Sequence, residues 1–258
     1  MKKLLVTLTP SESKRLIARG MLALEEVQTA LKEGYLCITL GTTSSYLVEE
    51  ILGEYDKTKH IAGLIIDKGL SVTKRDQRAF DAIFYKGEYQ ERKKVIDVLK
   101  EMGPNDVIIK SANALDSNMT PLVLLASETG GTVGSFLGVA AARNIIVIMP
   151  VGLEKCIPTE YEEMAGRFGM HDWDYSIGTP VGIIAVPEGI PFTEIEALEA
   201  LFEVEVIPIA AGGINGGEGS VTFFIEGYDD DIEHAYEFLL SLKGEPPFPK
   251  VEHVVKDS

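Results

Sequence analysis

Four stretches of the sequence set glycine, hydroxyl, amide or charged side chains directly behind an apolar run. The first is GTTSS, Gly41 to Ser45, between YLCITL and YLVEEIL. Glycine lets a backbone turn sharply and approach a ligand closely. The hydroxyls of Thr42, Thr43, Ser44 and Ser45 can donate to an anion. The free N–H groups of the helix that follows point the same way, with the positive end of its dipole. The turn therefore suits a phosphate or carboxylate, although a single Thr or Ser would be enough to cap the helix.

The second stretch, KSANALDSNMTP, follows the apolar run DVII. Ser111 is a candidate to bind substrate, Asn113 could bind a substrate hydroxyl, and Asp116 could serve as base or hydrogen-bond acceptor. The same residue types also form ordinary polar turns. The third, SETGGT, sets Gly130, Gly131 and Thr132 before a helix as a second anion nest, with Glu128 beside it as acid, base or nucleophile. The fourth, PVGLEKCIP, puts Lys155 behind a buried strand, where it could meet an anion or lie on the surface. HDWD, His171 to Asp174, lacks a third or fourth metal ligand in its spacing, so no metal and no cofactor is expected. Cys37 and Cys156 sit in or beside apolar runs without the spacing of a disulfide framework or a metal site.

The elements that must position these residues alternate. THR-PRO at positions 9 and 10 with Glu12 forms a capping box at the start of a helix, and Gly20 interrupts that pattern. Thereafter YLCITL, HIAGLIID, DVIIKSA and NIIVIMPVG read as apolar strands. SYLVEEILG, YQERKKVIDVLKEMG and TVGSFLGVAAARN read as the helices between them. Strands this apolar are covered on both faces, which predicts an α/β fold with a doubly wound, mostly parallel, Rossmann-like sheet and ligands at the carboxyl ends of its strands. Beyond HDWDYSIGTP the order becomes β-α-β-β-α, which predicts a small ferredoxin-like α+β domain. The expected division is 1–178 for the ligand-binding domain, 179–248 for the second domain and 249–258 for a tail.

The charge is unevenly spread. Residues 188–258 hold 3 basic and 16 acidic side chains, whereas 1–187 hold 21 and 24. Residues 57–100 hold 11 basic and 6 acidic ones. An overall charge of −16 argues against nucleic acid as a partner, and no apolar run is long enough to span a membrane. The apolar start MKKLLVTL ends without a cleavage site, so it reads as a first strand of a cytoplasmic protein. The apolar face of the second domain predicts a homo-oligomer.

With these stretches assembled, about the first 155 residues resemble the superfamily of ribose-5-phosphate isomerases, glucosamine-6-phosphate deaminases and CoA transferases. ITLGTTSSYLVEEIL is similar to that superfamily's strand, glycine-hydroxyl loop and helix. KSANALD and ETGGT stand where the isomerases carry DGADEVD and a glycine-rich turn. Lys110 and Asn113 replace the first two aspartates of that motif, and Asp116 is retained. SANALD and VGLEKCIP are also similar to segments of the lactate-utilisation branch, and SETGG resembles the SENG turn of the CoA transferases. The resemblance implies a sugar phosphate, nucleotide or CoA ester as ligand, with proton transfer on a sugar phosphate as the reaction. CoA or acyl transfer is the alternative enzyme chemistry. A non-catalytic phosphosugar- or nucleotide-sensing module is the alternative from another class.

Overall fold

The structure is a computed structural model and describes residues 1–255. It is a mixed α/β fold. Strand β1 (Lys2–Leu8) leads into helices α1 (Pro10–Ala23) and α2 (Glu25–Glu33). Then come β2 (Tyr35–Ile38), α3 (Thr42–Leu52), the hairpin β3 (Gly63–Ile66) and β4 (Gly69–Val72), and the hairpin β5 (Ala82–Tyr85) and β6 (Glu88–Tyr89). The short α4 (Val95–Val98) precedes β7 (Val107–Ile109), β8 (Ala114–Leu115) and β9 (Pro121–Leu125). The middle of the chain closes with α5 (Gly131–Arg143), β10 (Ile146–Pro150) and α6 (Tyr161–Met164). The last third contains β11 (Gly182–Ala185), β12 (Ile190–Phe192), α7 (Glu194–Leu201), β13 (Val204–Gly212), β14 (Ser220–Gly227) and α8 (Asp229–Leu242).

The central sheet has the order β12-β10-β7-β2-β5-β6. Its first four strands run parallel, and β5 and β6 are antiparallel. The parallel strands carry the buried runs of the sequence: Leu36, Cys37, Ile38, Val107, Ile108 and Ile109 are all fully buried. Burial on both faces is what a parallel sheet requires.

Three sequence expectations are corrected. HIAGLIID does not enter the central sheet. Its strand β3 pairs only with β4, in a hairpin whose side chains alternate between exposed and half-buried. Most of YQERKKVIDVLKEMG is not helical, because AIFYKGEY forms a hairpin first. Lys86 and Gly87 take positive φ at its two-residue turn, as the strand twist demands. Finally, VGIIAVP does not join the strands that follow it. It becomes β11, paired antiparallel with β9, while the chain's first strand lies beside its last in the three-stranded sheet β1-β14-β13. The alternation in β1 explains its place. Leu4, Val6 and Leu8 turn inward and Lys3, Leu5 and Thr7 outward, the pattern of a sheet covered on one face only.

Helix α1 ties the two sheets together. Its expected capping box is present: Glu12 N donates to Thr9 Oγ1 (3.4 Å) and Thr9 N to Glu12 Oε2 (2.9 Å). The same Glu12 accepts from Lys243 Nζ (2.6 Å) and Gly244 N (2.9 Å), fastening the start of α1 to the end of α8. Gly20 does not break α1. It lies within the helix, where a Cβ would stand 2.6 Å from Cα and Cβ of Ala197 in α7. Gly20→Val should therefore force α1 and α7 apart and cost about 2–3 kcal/mol in urea denaturation. Gly138 in α5 faces open space, so Gly138→Ala should stabilise by roughly 0.5–1 kcal/mol. Equal responses from the two would contradict this packing.

Candidate functional site at the parallel strand ends

Four adjacent parallel strands end on the same side of the central sheet, and each end carries a polar residue of interest. Strand β2 leads to Gly41–Ser45, β7 to Lys110 and Ser111, β10 to Glu154 and Lys155, and β12 to Glu194. Helix α5 carries the chain to β10, and Gly130, Gly131 and Thr132 form its N-terminal turn, with Gly130 in the left-handed region.

The first loop is built by close approach. Gly41 has extended backbone (φ 176°), so its need for glycine is spatial: a Cβ would lie 2.6 Å from Ser111 Oγ and 2.8 Å from Ser44 Oγ. Gly41 N donates to His60 O (2.8 Å), and Ser44 N donates to Ser111 Oγ (3.3 Å). The four hydroxyls do not converge on one point. Ser44 Oγ donates to Thr39 O (2.8 Å) and Ser45 Oγ to Thr42 O (2.7 Å), so both are used in holding the turn. Thr43 Oγ1 is buried without a partner, and Thr42 is half-buried at the mouth of the helix. Arg15 of α1 braces α3 from behind through Glu49 and Glu50.

Asn113 and Asp116 serve the β8–β9 hairpin. Asn113 N donates to Leu122 O (2.8 Å), and its Oδ1 accepts from Leu124 N (3.0 Å). Asp116 is buried; its Oδ1 accepts from Asn118 N (2.9 Å) and Thr120 N (2.8 Å) and its Oδ2 from Tyr161 N (3.2 Å). Burial pushes this carboxyl up, but the backbone donors outweigh it and hold it below the usual carboxylate range. A carboxylate whose oxygens are committed to backbone N–H groups is a turn-forming residue and a poor base. Glu128 is exposed, and His171 Nε2 lies 3.3 Å from its Oε1. Among the described residues no three His, Cys, Asp or Glu side chains are placed to hold a metal ion.

Two lysines dominate the site instead. Lys110 Nζ donates to Ser111 O (2.8 Å) and Lys155 Nζ to Ala112 O (3.2 Å). Both are half-buried, and among the described residues neither comes within ion-pair distance of a carboxylate. Burial, and then the charge of Lys155, push Lys110 down to about 8, with Asp81 opposing. Burial also pushes Lys155 down to about 8, against the pull of Glu154.

Beside them lies a carboxyl pair, one half-buried and one buried. Glu154 Oε1 accepts from Lys14 Nζ (3.0 Å), while its Oε2 is buried without a partner. Glu194 is fully buried; its Oε2 accepts from Leu153 N (2.9 Å) and its Oε1 has no partner. Burial and the neighbouring Glu154 push the Glu194 carboxyl up to about 7. The folded chain thus keeps a proton between pH 4.5 and about 7 that the unfolded chain has released, and stability falls as pH rises through that window. Glu194→Gln should flatten that slope and raise stability at pH 8 by about 1–3 kcal/mol. Melting temperatures at pH 5 and pH 8 read the effect; an unchanged slope would exclude Glu194 as its source.

Lys110, Glu154 and Glu194 were not singled out as site residues in the sequence. Lys110 carries a signal, a lysine ending a fully apolar run. Glu194 carries none, because an acid after FT at a helix start looks like a dipole partner. Comparison of the chain with family models, with curated proteins and with solved structures finds no match to any of them.

Proposed function

We propose that this chain is an enzyme that binds a small phosphorylated or carboxylated metabolite over the ends of β2, β7, β10 and β12 and moves a proton on it. The observation that carries the reading is the pair of lysines, Lys110 and Lys155, on neighbouring strand ends with only backbone carbonyls as hydrogen-bond partners. Asp81, Glu154 and Glu194 act on these ammonium groups only from beyond ion-pair distance among the described residues, which leaves each free to take an anion directly. The N-terminus of α3, with Thr42 at its mouth, adds donors of the right polarity.

In this reading Lys110 and Lys155 hold the anionic group. Glu194, rather than Asp116, exchanges the proton, because a carboxyl poised near neutrality suits both halves of such a transfer. The same reading keeps the likeness to the isomerase, deaminase and CoA-transferase superfamily, with aldose–ketose isomerisation of a sugar phosphate or a related ring-opening as the favoured reaction.

The test is a calorimetric screen of pentose and hexose phosphates, nucleotides and CoA esters, followed by proton NMR of each binder in heavy water. Binding with deuterium wash-in at the carbon beside the carbonyl is the expected result. Binding without exchange or turnover of any member would leave a sensing module, and no binder in the panel would overturn the reading altogether.

A further inference from the structure

The small sheet β1-β14-β13 has helices on one face and, among the described residues, nothing on the other, and its register sorts the open face into rows. One row is apolar: Leu5 stands opposite Phe224, and Phe224 opposite Ile207. Leu5 is 68% exposed and Ile207 42%. The next row is charged: Lys3 stands opposite Glu226, and Glu226 opposite Glu205. The row on the other side, Thr7, Thr222 and Ala210, has no charge, and the two hydroxyls bond each other at 2.8 Å.

We infer that this face is the interface of a homodimer, in which the open sheets of two copies pack on each other about a two-fold axis parallel to the strands. The order of charges selects both the occupant and the axis. A two-fold axis along the strands lays each row on its own copy with the order reversed. The apolar row then covers its equivalent, and Lys3 at the β1 edge meets Glu205 of the partner subunit at the β13 edge. An axis across the strands would set the charged row against the threonine row and leave Lys3 unmatched. Sheets stacked face to face lie about 10 Å apart, a gap that interdigitating Leu, Phe and Ile fill and that Lys and Glu can span. The charge balance of the whole region beyond Pro187, 3 basic against 16 acidic residues, would keep copies apart. This face brings a lysine and an apolar row to the contact.

Glu226 sits on the middle strand, so the two copies of this carboxylate meet near the axis, each beside its own Lys3. That repulsion limits the affinity.

Sedimentation equilibrium of the full chain across the micromolar range tests the inference. The expected result is a monomer–dimer equilibrium. Leu5→Glu should give a monomer with an unchanged circular dichroism spectrum. Lys3→Glu should weaken the dimer by about tenfold, since symmetry doubles the loss of a rim ion pair. Lys3→Glu combined with Glu205→Lys should restore the affinity, and Glu226→Gln should tighten it. A monomeric wild type at the highest concentration, or a dimer that survives Leu5→Glu, would overturn the interface. A double reversal no better than Lys3→Glu alone would overturn the two-fold arrangement.

Discussion

Lys110→Met combined with Lys155→Met should bind the anionic ligand proposed above about 10² to 10⁴ times more weakly and yet be the more stable protein. Each ammonium is asked to supply one charge-assisted hydrogen bond, worth about 1.5–3 kcal/mol, and two such losses multiply to that range. Stability moves the other way because the free chain gains little from these charges. A lysine ordinarily titrates at 10.5, and burial has pushed both down to about 8. The contribution of the neutral amines is fully present above pH 10.5. As pH falls the unfolded chain takes up protons before the folded chain does, so stability declines and the loss is complete below about 8. Methionine fills similar space and cannot titrate.

The variant should therefore show a flatter stability profile between pH 8 and pH 10.5. At pH 7 it should gain on the order of 1–3 kcal/mol, discounted because both side chains are half-exposed and two carbonyls lose their donors. Urea denaturation at pH 7 and pH 10, with calorimetric titration of the best ligand, measures both halves. Unchanged affinity would remove the lysines from the site, and a less stable variant at pH 7 would mean that their burial is not costly.

The second large effect concerns Asp116, and it separates a turn-forming carboxylate from a base. Asp116→Ala strands the N–H groups of Asn118, Thr120 and Tyr161. Hydrogen bonds to a charged group are worth about 1.5–3 kcal/mol each, but these three are part-buried and water can reach the freed donors, so the expected loss is about 2–3 kcal/mol. The pH dependence has a definite sign. The carboxyl is held below its usual value of 3.8, so its contribution is present above that pH and disappears as pH falls through the lower, folded value. The variant should lose part of the wild type's acid sensitivity together with its stability. Asp116→Asn should retain the Oδ1 contacts and fall between the two, and its turnover per folded molecule should stay near that of the wild type. A catalytic base predicts the reverse, a stable Asp116→Asn protein with turnover reduced by several powers of ten.

The sequence by itself determined the local elements whose physics is local. The Thr9–Glu12 cap and the apolar runs of β2, β7 and β10 are all found where their residues place them. It also located the strand-end loops, because an apolar run followed by glycine and hydroxyls can leave a parallel sheet in few ways. Pairing partners were not legible. Nothing in KKLLVTL says that its neighbour is SVTFFIEG, more than 200 residues on, and nothing in VGIIAVP says that it pairs backward with β9. Those choices depend on which faces other elements have already covered, a property of the whole fold.

The environments of the two carboxylates were decided at the same level. Asp116 and Glu194 are both carboxylates near strand ends, and their sequences offer no reason to treat them differently. Tertiary structure supplies three backbone donors from neighbouring residues to Asp116, whereas it buries Glu194 completely, beside a second carboxylate. The first is held ionised and the second is kept near neutrality, because donors favour the charged form and burial with a like charge disfavours it.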